Sequence, residues 1–272
     1  MADLFEPFCA EKIRGLLTDR FYSPVVFDTL RSTNDTAREL ARQGAPEGTV
    51  VIAASQTGGR GRMGRSFFSP DGTGLYMSIL LRPKLPAEDS LLITTAAAVA
   101  AAEALEEISG RSMGIKWVND IYCGGKKVCG ILTEGGYGTD GSLAYAILGI
   151  GVNLFAPEGG FPSELAQIAD AVFPAKAEKK GTVKNRAAAM ILEKFLPLYR
   201  QLPERMYLAE YRARSVLTDQ SVNVLRGDSA RPAKVLGIDD HFGLLVRYED
   251  DGTEAALSTG EVSVRLAGTI NK

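Results

Sequence analysis

The spacing of apolar and polar positions divides the chain into a long mixed region and a shorter β region. Short apolar runs rich in β-branched residues predict buried strands at 22–30, 49–56, 75–81 and 143–154. Helical spacing predicts helices at 4–18, 35–43, 89–109 and 182–196. After residue 221 there are only short β runs between turn residues, a pattern typical of a small five-stranded barrel. The pattern therefore predicts two domains, 1–217 and 218–272.

A hairpin is predicted at 114–134, as strand, turn and strand. The glycine pair at 124–125 occupies the position at which primed turns require positive φ. Strict alternation along the first arm places Lys116 and Asp120 on one face. Charged residues in an apolar hairpin are unfavourable unless they have partners or a function, so both are candidate site residues.

The most distinctive stretch is 58–66, which reads GGRGRMGRS and follows a predicted strand. Its glycines expose backbone N–H groups, and the guanidinium groups of Arg60, Arg62 and Arg65 match phosphate or carboxylate oxygens in pairs. The stretch matches GxGxxG and nearly matches a phosphate-binding P-loop, but both mechanisms require a helix directly after the glycines. The segment that follows is rich in proline and glycine and then becomes a strand, which argues against both. The alternative is that 58–66 is a mobile, solvated arginine loop that binds nucleic acid. This is disfavoured because the Gly/Arg stretch occurs only once in the sequence and lies between two predicted strands.

Composition and charge exclude several classes of function. The formal net charge is −2, so no overall field attracts the chain to nucleic acid or to acidic membranes. His241 is the only histidine, and any Ser-His-Asp or histidine–zinc chemistry would have to use it. The three cysteines lack CxxC spacing, and no secretory leader or membrane-spanning run is evident. We therefore expect a cytoplasmic protein with reduced thiols.

Fixed cations without an evident base suit a reaction between two anions. A carboxylate attacking the α-phosphate of ATP is such a reaction, because preorganised cations lower the barrier as negative charge gathers. Asn119 and Asp120 are candidate ligands for Mg²⁺, which takes one or two protein oxygens beside phosphates and waters. Residues 32–34 follow the predicted strand at 22–30, and Ser32 with Asp35 resembles a capping box at the start of the next helix. These residues act either as helix caps or as contacts for a small polar head group.

Several motifs together resemble those of biotin protein ligases, and they occur in that family's order across nearly the whole chain. They are RSTN at 31–34, Gln56, GGRGRMGR at 58–65, KWVND at 116–120, KKVCGIL at 126–132, GIGVNL at 149–154 and GEVSVR at 260–265. The resemblance implies an α+β fold, in which a mixed-sheet catalytic domain of the biotin/lipoate ligase type is followed by a C-terminal SH3-like β-barrel. It also implies two half-reactions. Biotin and MgATP first give biotinyl-5′-AMP and pyrophosphate, and biotin then passes to a lysine of the biotin carboxyl carrier protein of acetyl-CoA carboxylase or a related carboxylase.

The resemblance also implies roles for individual residues. The expected biotin contacts are Ser32, Thr33, Asn34, Gln56, Gly59, Arg60, Gly61, Arg62, Lys127, Gly130, Ile131 and Leu132. The expected ATP or adenylate contacts are Arg62, Arg65, Phe67, Lys116, Asn119 and Asn153. Arg62, Lys127 and Asp120 are the expected catalytic residues, with Asp120 helping to deprotonate the incoming carrier lysine.

Two departures and three alternatives accompany this interpretation. Phe67 stands where the family often has tryptophan, and about twenty residues precede the first predicted strand, so we expect no repressor domain and no DNA binding. Either a monomer or a homodimer fits. The C-terminal domain either only packs or helps to close the site. The alternatives are a lipoate or octanoate ligase of the same fold, a P-loop nucleotidase, which would require a helix after Ser66, and, from another class, a Gly/Arg-loop nucleic-acid-binding protein.

Overall fold

The computed structural model describes residues 6–137, 142–173, 182–227, 229–258 and 263–266. The start of the predicted first helix and residues 260–262 of the GEVSVR motif lie outside these ranges.

The larger part of the described chain is built on a seven-stranded mixed sheet. Its strands are β1 (Ser23–Leu30), β2 (Thr49–Gln56), β3 (Gly74–Leu81), β4 (Gly114–Lys116), β5 (Asp120–Cys123), β6 (Lys126–Tyr137) and β7 (Leu143–Asn153). They lie in the order β1-β2-β3-β7-β6-β5-β4. β1 and β2 run parallel, and the other neighbouring pairs run antiparallel. The α+β fold class with a mixed sheet is confirmed.

Helices cover both faces of this sheet. They are α1 (Ala10–Leu16), α2 (Thr33–Arg42), α3 (Leu91–Ser109), α4 (Val183–Arg200) and α5 (Leu208–Ala213). α2 packs its alanines on one face, against Val51 and Ile147, whereas α3 and α4 belong to the main core with Val50 and Ile52. Successive residues of β2 thus point into different cores, which explains why its sequence is a continuous apolar run rather than an alternating one.

The predicted hairpin at 114–134 is more complex than one turn. The turn at Gly124 and Gly125 is confirmed, with φ values of +58° and +81°. The first arm, however, reverses between β4 and β5, so that Lys116 pairs directly with Asp120. These two residues share a face as cross-strand neighbours, and the prediction of one continuous alternating strand is wrong. The reversal places Trp117 where its indole N–H donates to the carbonyl of Phe242, at 2.8 Å.

The C-terminal part forms a separate antiparallel sheet, in which five described strands take part. They are β8 (Ser221–Arg226), β9 (Ser229–Ile238), β10 (Leu244–Tyr248), β11 (Glu254–Leu257) and β12 (Ser263–Leu266), in the order β11-β10-β9-β8-β12. This confirms the small β unit expected of an SH3-like domain, whereas the boundary after 217 stays a prediction.

One aromatic side chain anchors the C-terminal sheet on the larger part. Phe242 lies in the turn before β10 and is fully buried. Its ring stacks on Tyr207 and meets Tyr211 edge-on, with centroid distances of 5.3 Å in both pairs. Tyr211 in turn donates its hydroxyl to the carbonyl of Val118 at 3.1 Å. Through Tyr211, the anchor therefore contacts the turn that leads to Asn119.

Candidate functional site

A cavity of about 480 Å³, including its open mouth, lies where the N-terminus of α2 and the 58–66 loop meet β3, β6 and β7. Its lining residues are Ser32, Thr33, Asn34, Gln56, Arg60, Gly61, Arg62, Phe67, Tyr76, Met77, Asn119, Lys127, Gly130, Ile131, Leu132, Gly149, Ile150 and Gly151. Most of the residues predicted from four separate motifs are thus brought together.

The inner end of the cavity is a buried hydrogen-bonding network. Thr33 donates its backbone N–H and its hydroxyl to Oε1 of Gln56, at 2.8 and 3.1 Å. The buried Ser78 hydroxyl lies 2.6 Å from Oδ1 of Asn34 and 2.7 Å from the Thr33 hydroxyl. Ser32 occupies the N-cap position of α2, but among the described residues its side chain makes no capping hydrogen bond. The predicted capping box is therefore wrong, and Ser32 instead faces the cavity.

Two glycines of β7 make room for this arrangement. A Cβ atom at Gly149 would lie 2.2 Å from Oδ1 of Asn34, and one at Gly151 would lie 2.7 Å from the ring of Phe67. Any larger residue at these positions would displace a lining side chain. The repeated glycine in GIGVNL is a sequence signal for such a close approach, but it does not show which side chains approach.

The outer end of the cavity is cationic. Arg62 donates to Oδ1 of Asn119 at 3.1 Å, and Asn119 donates to the carbonyl of Ile131 at 2.7 Å. Lys127 lies 2.7 Å from Oδ1 of Asp120. Burial lowers the pKa of the Arg62 guanidinium, while the nearby Asp120 acts in the opposite direction. A cation removed from water in this way interacts strongly with an incoming anion.

The arginines of the loop have different surroundings. Nη2 of Arg60 lies 2.7 Å from Asp35 and 2.8 Å from Glu134, so its side chain is held by carboxylates of the protein. Arg65 is exposed. A short 3-10 turn, Arg62–Gly64, is followed by extended chain and then by β3. Because no helix begins there in this described segment, the argument against a Rossmann or P-loop site is confirmed.

Five predicted site residues are not among the described residues that line the cavity: Gly59, Arg65, Lys116, Asp120 and Asn153. Gly59 is next to lining residues, and Asp120 contacts the lining Lys127. Lys116 lies 3.4 Å from the hydroxyl of Tyr122, and the amide of Asn153 donates to the carbonyl of Asp170 at 3.1 Å. Their assigned roles stay predictions.

Sequence reasoning did not identify three lining side chains, namely Tyr76, Met77 and Ile150. All belong to β3 and β7, which are buried almost throughout, so no polar residue or break in the pattern marks them. Burial raises the pKa of Tyr76 to about 12, and its hydroxyl donates to the carbonyl of Pro70 at 3.0 Å. The neutral phenol therefore serves as part of the wall.

The predicted magnesium ligands, Asn119 and Asp120, already have cationic partners in Arg62 and Lys127. Within the described ranges, no group of three or more His, Cys, Asp or Glu side chains is positioned to hold a metal ion. The assignment therefore stays a prediction, in which ATP phosphates would supply most of the ligands. In the same ranges, no helix has the length and apolar character needed to cross a bilayer.

The fold and cavity define a protein that binds a small molecule with a hydrogen-bonding head at one end and a negative charge at the other. The chain belongs to the biotin/lipoate A/B protein ligase family, whose model matches residues 26–153. It is 38% identical over 253 residues to the bifunctional ligase/repressor BirA of Bacillus subtilis, and this match covers 90% of this chain and 75% of that protein. It is also 28% identical over 238 residues to the biotin–[acetyl-CoA-carboxylase] ligase of Mycobacterium tuberculosis, covering 85% of each chain.

A solved structure of a biotin protein ligase is also similar to this chain. The biotin protein ligase of Aquifex aeolicus in complex with biotin and ATP is 26% identical, with a TM-score of 0.73, and covers 90% of this chain and 99% of that chain.

Proposed function

We propose that the chain is a biotin protein ligase, which activates biotin with ATP and transfers it to a carrier lysine. The observation that carries this proposal is one cavity with a buried hydrogen-bonding end at Thr33 and Gln56 and a cationic end at Arg62 and Lys127. A ring with N–H and C=O groups suits the first end, and a carboxylate suits the second. Two relatives that are named as biotin ligases and cover most of the chain's length support the choice of substrate.

In the first half-reaction, a carboxylate oxygen of biotin attacks the α-phosphorus of ATP. The bond to the β-phosphate oxygen breaks, pyrophosphate leaves, and biotinyl-5′-AMP remains. Arg62 and Lys127 both line the cavity. We expect them to offset the repulsion between the two anions and the charge that gathers in the transition state. Losing one such donor typically lowers the rate by about 10²–10³-fold.

In the second half-reaction, the amine of a carrier lysine attacks the acyl carbon of the adenylate, and AMP leaves. The lysine must lose a proton, and Asp120 is our candidate acceptor because it contacts Lys127 at the edge of the cavity. Two relatives are named for acetyl-CoA carboxylase, which makes its biotin carboxyl carrier protein the proposed acceptor.

Further assignments belong to the same proposal. Magnesium is expected to arrive with ATP as the substrate complex, with Asn119 and Asp120 as its candidate protein contacts. The three unpaired cysteines, all within the described chain, support a cytoplasmic location. We propose domains at 1–217 and 218–272, because β8 begins the second sheet at Ser221. Absence of DNA binding, and a monomeric or homodimeric state, stay predictions for gel-shift and light-scattering experiments.

The decisive experiment is mass spectrometry after incubation with MgATP and equal amounts of biotin, lipoate and octanoate. We expect biotinyl-AMP as the retained product, and we expect Arg62→Ala to abolish it while Arg247→Ala, on the C-terminal sheet, retains it. Formation of lipoyl- or octanoyl-AMP would show that biotin is not the substrate, while the proposed adenylation reaction would stand. No adenylate with any acid would overturn the proposal.

A further inference from the structure

Glu134 lies at the junction between the cavity and the arginine loop without being among the described lining residues. It belongs to β6, and its side chain is 24% exposed. Among the described residues, three groups converge on its carboxylate. Oε2 accepts from the Asn34 amide at 2.7 Å and from Arg60 at 2.8 Å, while Oε1 lies 2.8 Å from Arg38.

The first consequence concerns the orientation of Asn34. A carboxylate only accepts hydrogen bonds, so Glu134 requires the NH₂ group of the Asn34 carboxamide to face it. The carbonyl oxygen then faces the opposite way, toward Ser78 at 2.6 Å. The NH₂ group of Asn34 also has a longer contact with the carbonyl of Leu132, at 3.5 Å. Because Asn34 lines the cavity, Glu134 is the stronger of the two acceptors that determine whether a ligand meets this amide as a donor or as an acceptor.

The second consequence concerns the loop. Arg60 reaches Glu134 and also Asp35, which belongs to α2. Arg38 pairs with the same two carboxylates, at 2.9 Å for Asp35 and 2.8 Å for Glu134, so the cluster contains two positive and two negative charges. The loop is held on its other side by Arg62, which donates to Asn119. Arg60 thus docks the loop on the protein body, while Arg60 and Arg62 both line the cavity.

We propose that Glu134 is a positioning residue, which couples the orientation of Asn34 in the cavity to the docking of the arginine loop through Arg60. It does so with one carboxylate oxygen shared by both partners. The part that concerns biotin rests on the proposed function, whereas the part that concerns loop docking can be measured without any ligand.

Three variants separate the two contacts. Glu134→Gln keeps the shape but removes the charge, and its amide no longer specifies the orientation of Asn34. Asp35→Asn removes the other carboxylate on Arg60 and leaves the bond from Asn34 intact. Glu254→Gln is the matched control, because it breaks only a surface pair with Arg247 in the C-terminal sheet.

The first measurement is limited trypsin digestion of the ligand-free full chain, followed at the loop arginines. We expect both Glu134→Gln and Asp35→Asn to be cut about three- to tenfold faster than wild type, since pairs that are only partly buried hold the loop modestly. Glu254→Gln is expected to match wild type. In an Arg60→Gln background, cleavage is followed after Arg62 and Arg65. There Glu134→Gln should not increase the cleavage rate further, because the loop has already lost its contact with Glu134.

The second measurement is biotin affinity by calorimetry. We expect Glu134→Gln to raise the dissociation constant by about tenfold and Asp35→Asn to leave it within twofold, because only Glu134 contacts Asn34. Glu134→Asp keeps the charge on a shorter side chain. We expect its cleavage rate and its biotin dissociation constant to lie between those of wild type and Glu134→Gln. This variant keeps the test valid if Glu134→Gln lowers the melting temperature.

Two results would overturn the coupling. One is wild-type loop cleavage in Glu134→Gln, and the other is an equal loss of biotin affinity in Glu134→Gln and Asp35→Asn. If the wild type binds no biotin but its loop is protected through Glu134, the proposed function fails while loop docking stands.

Discussion

Gly149→Ala tests whether the geometry of the inner cavity depends on the absence of one methyl group. The added Cβ would lie 2.2 Å from Oδ1 of Asn34, and 2.9 and 3.0 Å from its Cγ and Nδ2, so the whole carboxamide must move. Asn34 is only 5% exposed and its side chain is short, which leaves it little freedom to rotate away. The added methyl group therefore cannot be accommodated by moving only the end of a flexible side chain.

The size of the effect follows from the hydrogen bonds that Asn34 would lose. Its bond with Ser78 is neutral and contributes about 1 kcal/mol, and its bond with the partly exposed carboxylate of Glu134 contributes roughly 1.5 kcal/mol. Biotin binding must then offset this cost to return Asn34 to its place in the cavity. Because each 1.4 kcal/mol is about tenfold in an equilibrium constant, we expect biotin to bind about 10- to 100-fold more weakly. Overpacking of a filled core also destabilises by about 1–3 kcal/mol, which lowers the melting temperature by several degrees.

Calorimetry with biotin and thermal melting measure these two effects. Gly15→Ala is the matched control, since a Cβ there meets nothing within 4 Å, and it should leave biotin affinity unchanged. In an Asn34→Ala background, Gly149→Ala should have little further effect, because the group that it displaces is gone. A Gly149→Ala protein with wild-type biotin affinity and melting temperature would refute the reasoning.

Further predictions concern the C-terminal anchor, the transfer step and the thiols. Phe242→Ala removes a fully buried ring, so we expect a loss of about 3–5 kcal/mol in unfolding free energy by denaturant titration, and a higher KM for ATP because the turn before Asn119 loosens. An unchanged KM would limit the C-terminal sheet to a packing role. Asp120→Asn should form biotinyl-AMP but transfer it poorly to the carrier in a gel assay, and normal transfer would remove Asp120 as the proton acceptor. Iodoacetamide at pH 8 should label Cys9 first, because burial raises the pKa of Cys123 and Cys129 and so reduces their thiolate fraction. Equal labelling of all three in the folded protein would contradict their burial.

Local signals in the sequence were sufficient for most of the elements. β2 was predicted with its observed bounds, since a β-branched run bounded by turn residues needs no distant partner to be recognised. α3 ends at Ser109, as predicted, and is followed by Gly110, whose φ of +68° is the left-handed cap that glycine provides. Motif resemblance indicated many of the residues that line the cavity, including Thr33, Gln56, Arg62 and Lys127, whereas their roles stay predictions.

Only the tertiary structure decided which side chains meet. Arg60 and Glu134 are 74 positions apart, and no periodicity indicates that they form an ion pair. The indole of Trp117, at the reversal before Asp120, donates to Phe242, which is 125 positions away. The same limit applies to the wall residues of β3 and β7, which look like any buried strand. Apolar spacing reports a residue's own environment, so it determines the elements, whereas contacts between distant elements depend on how those elements pack.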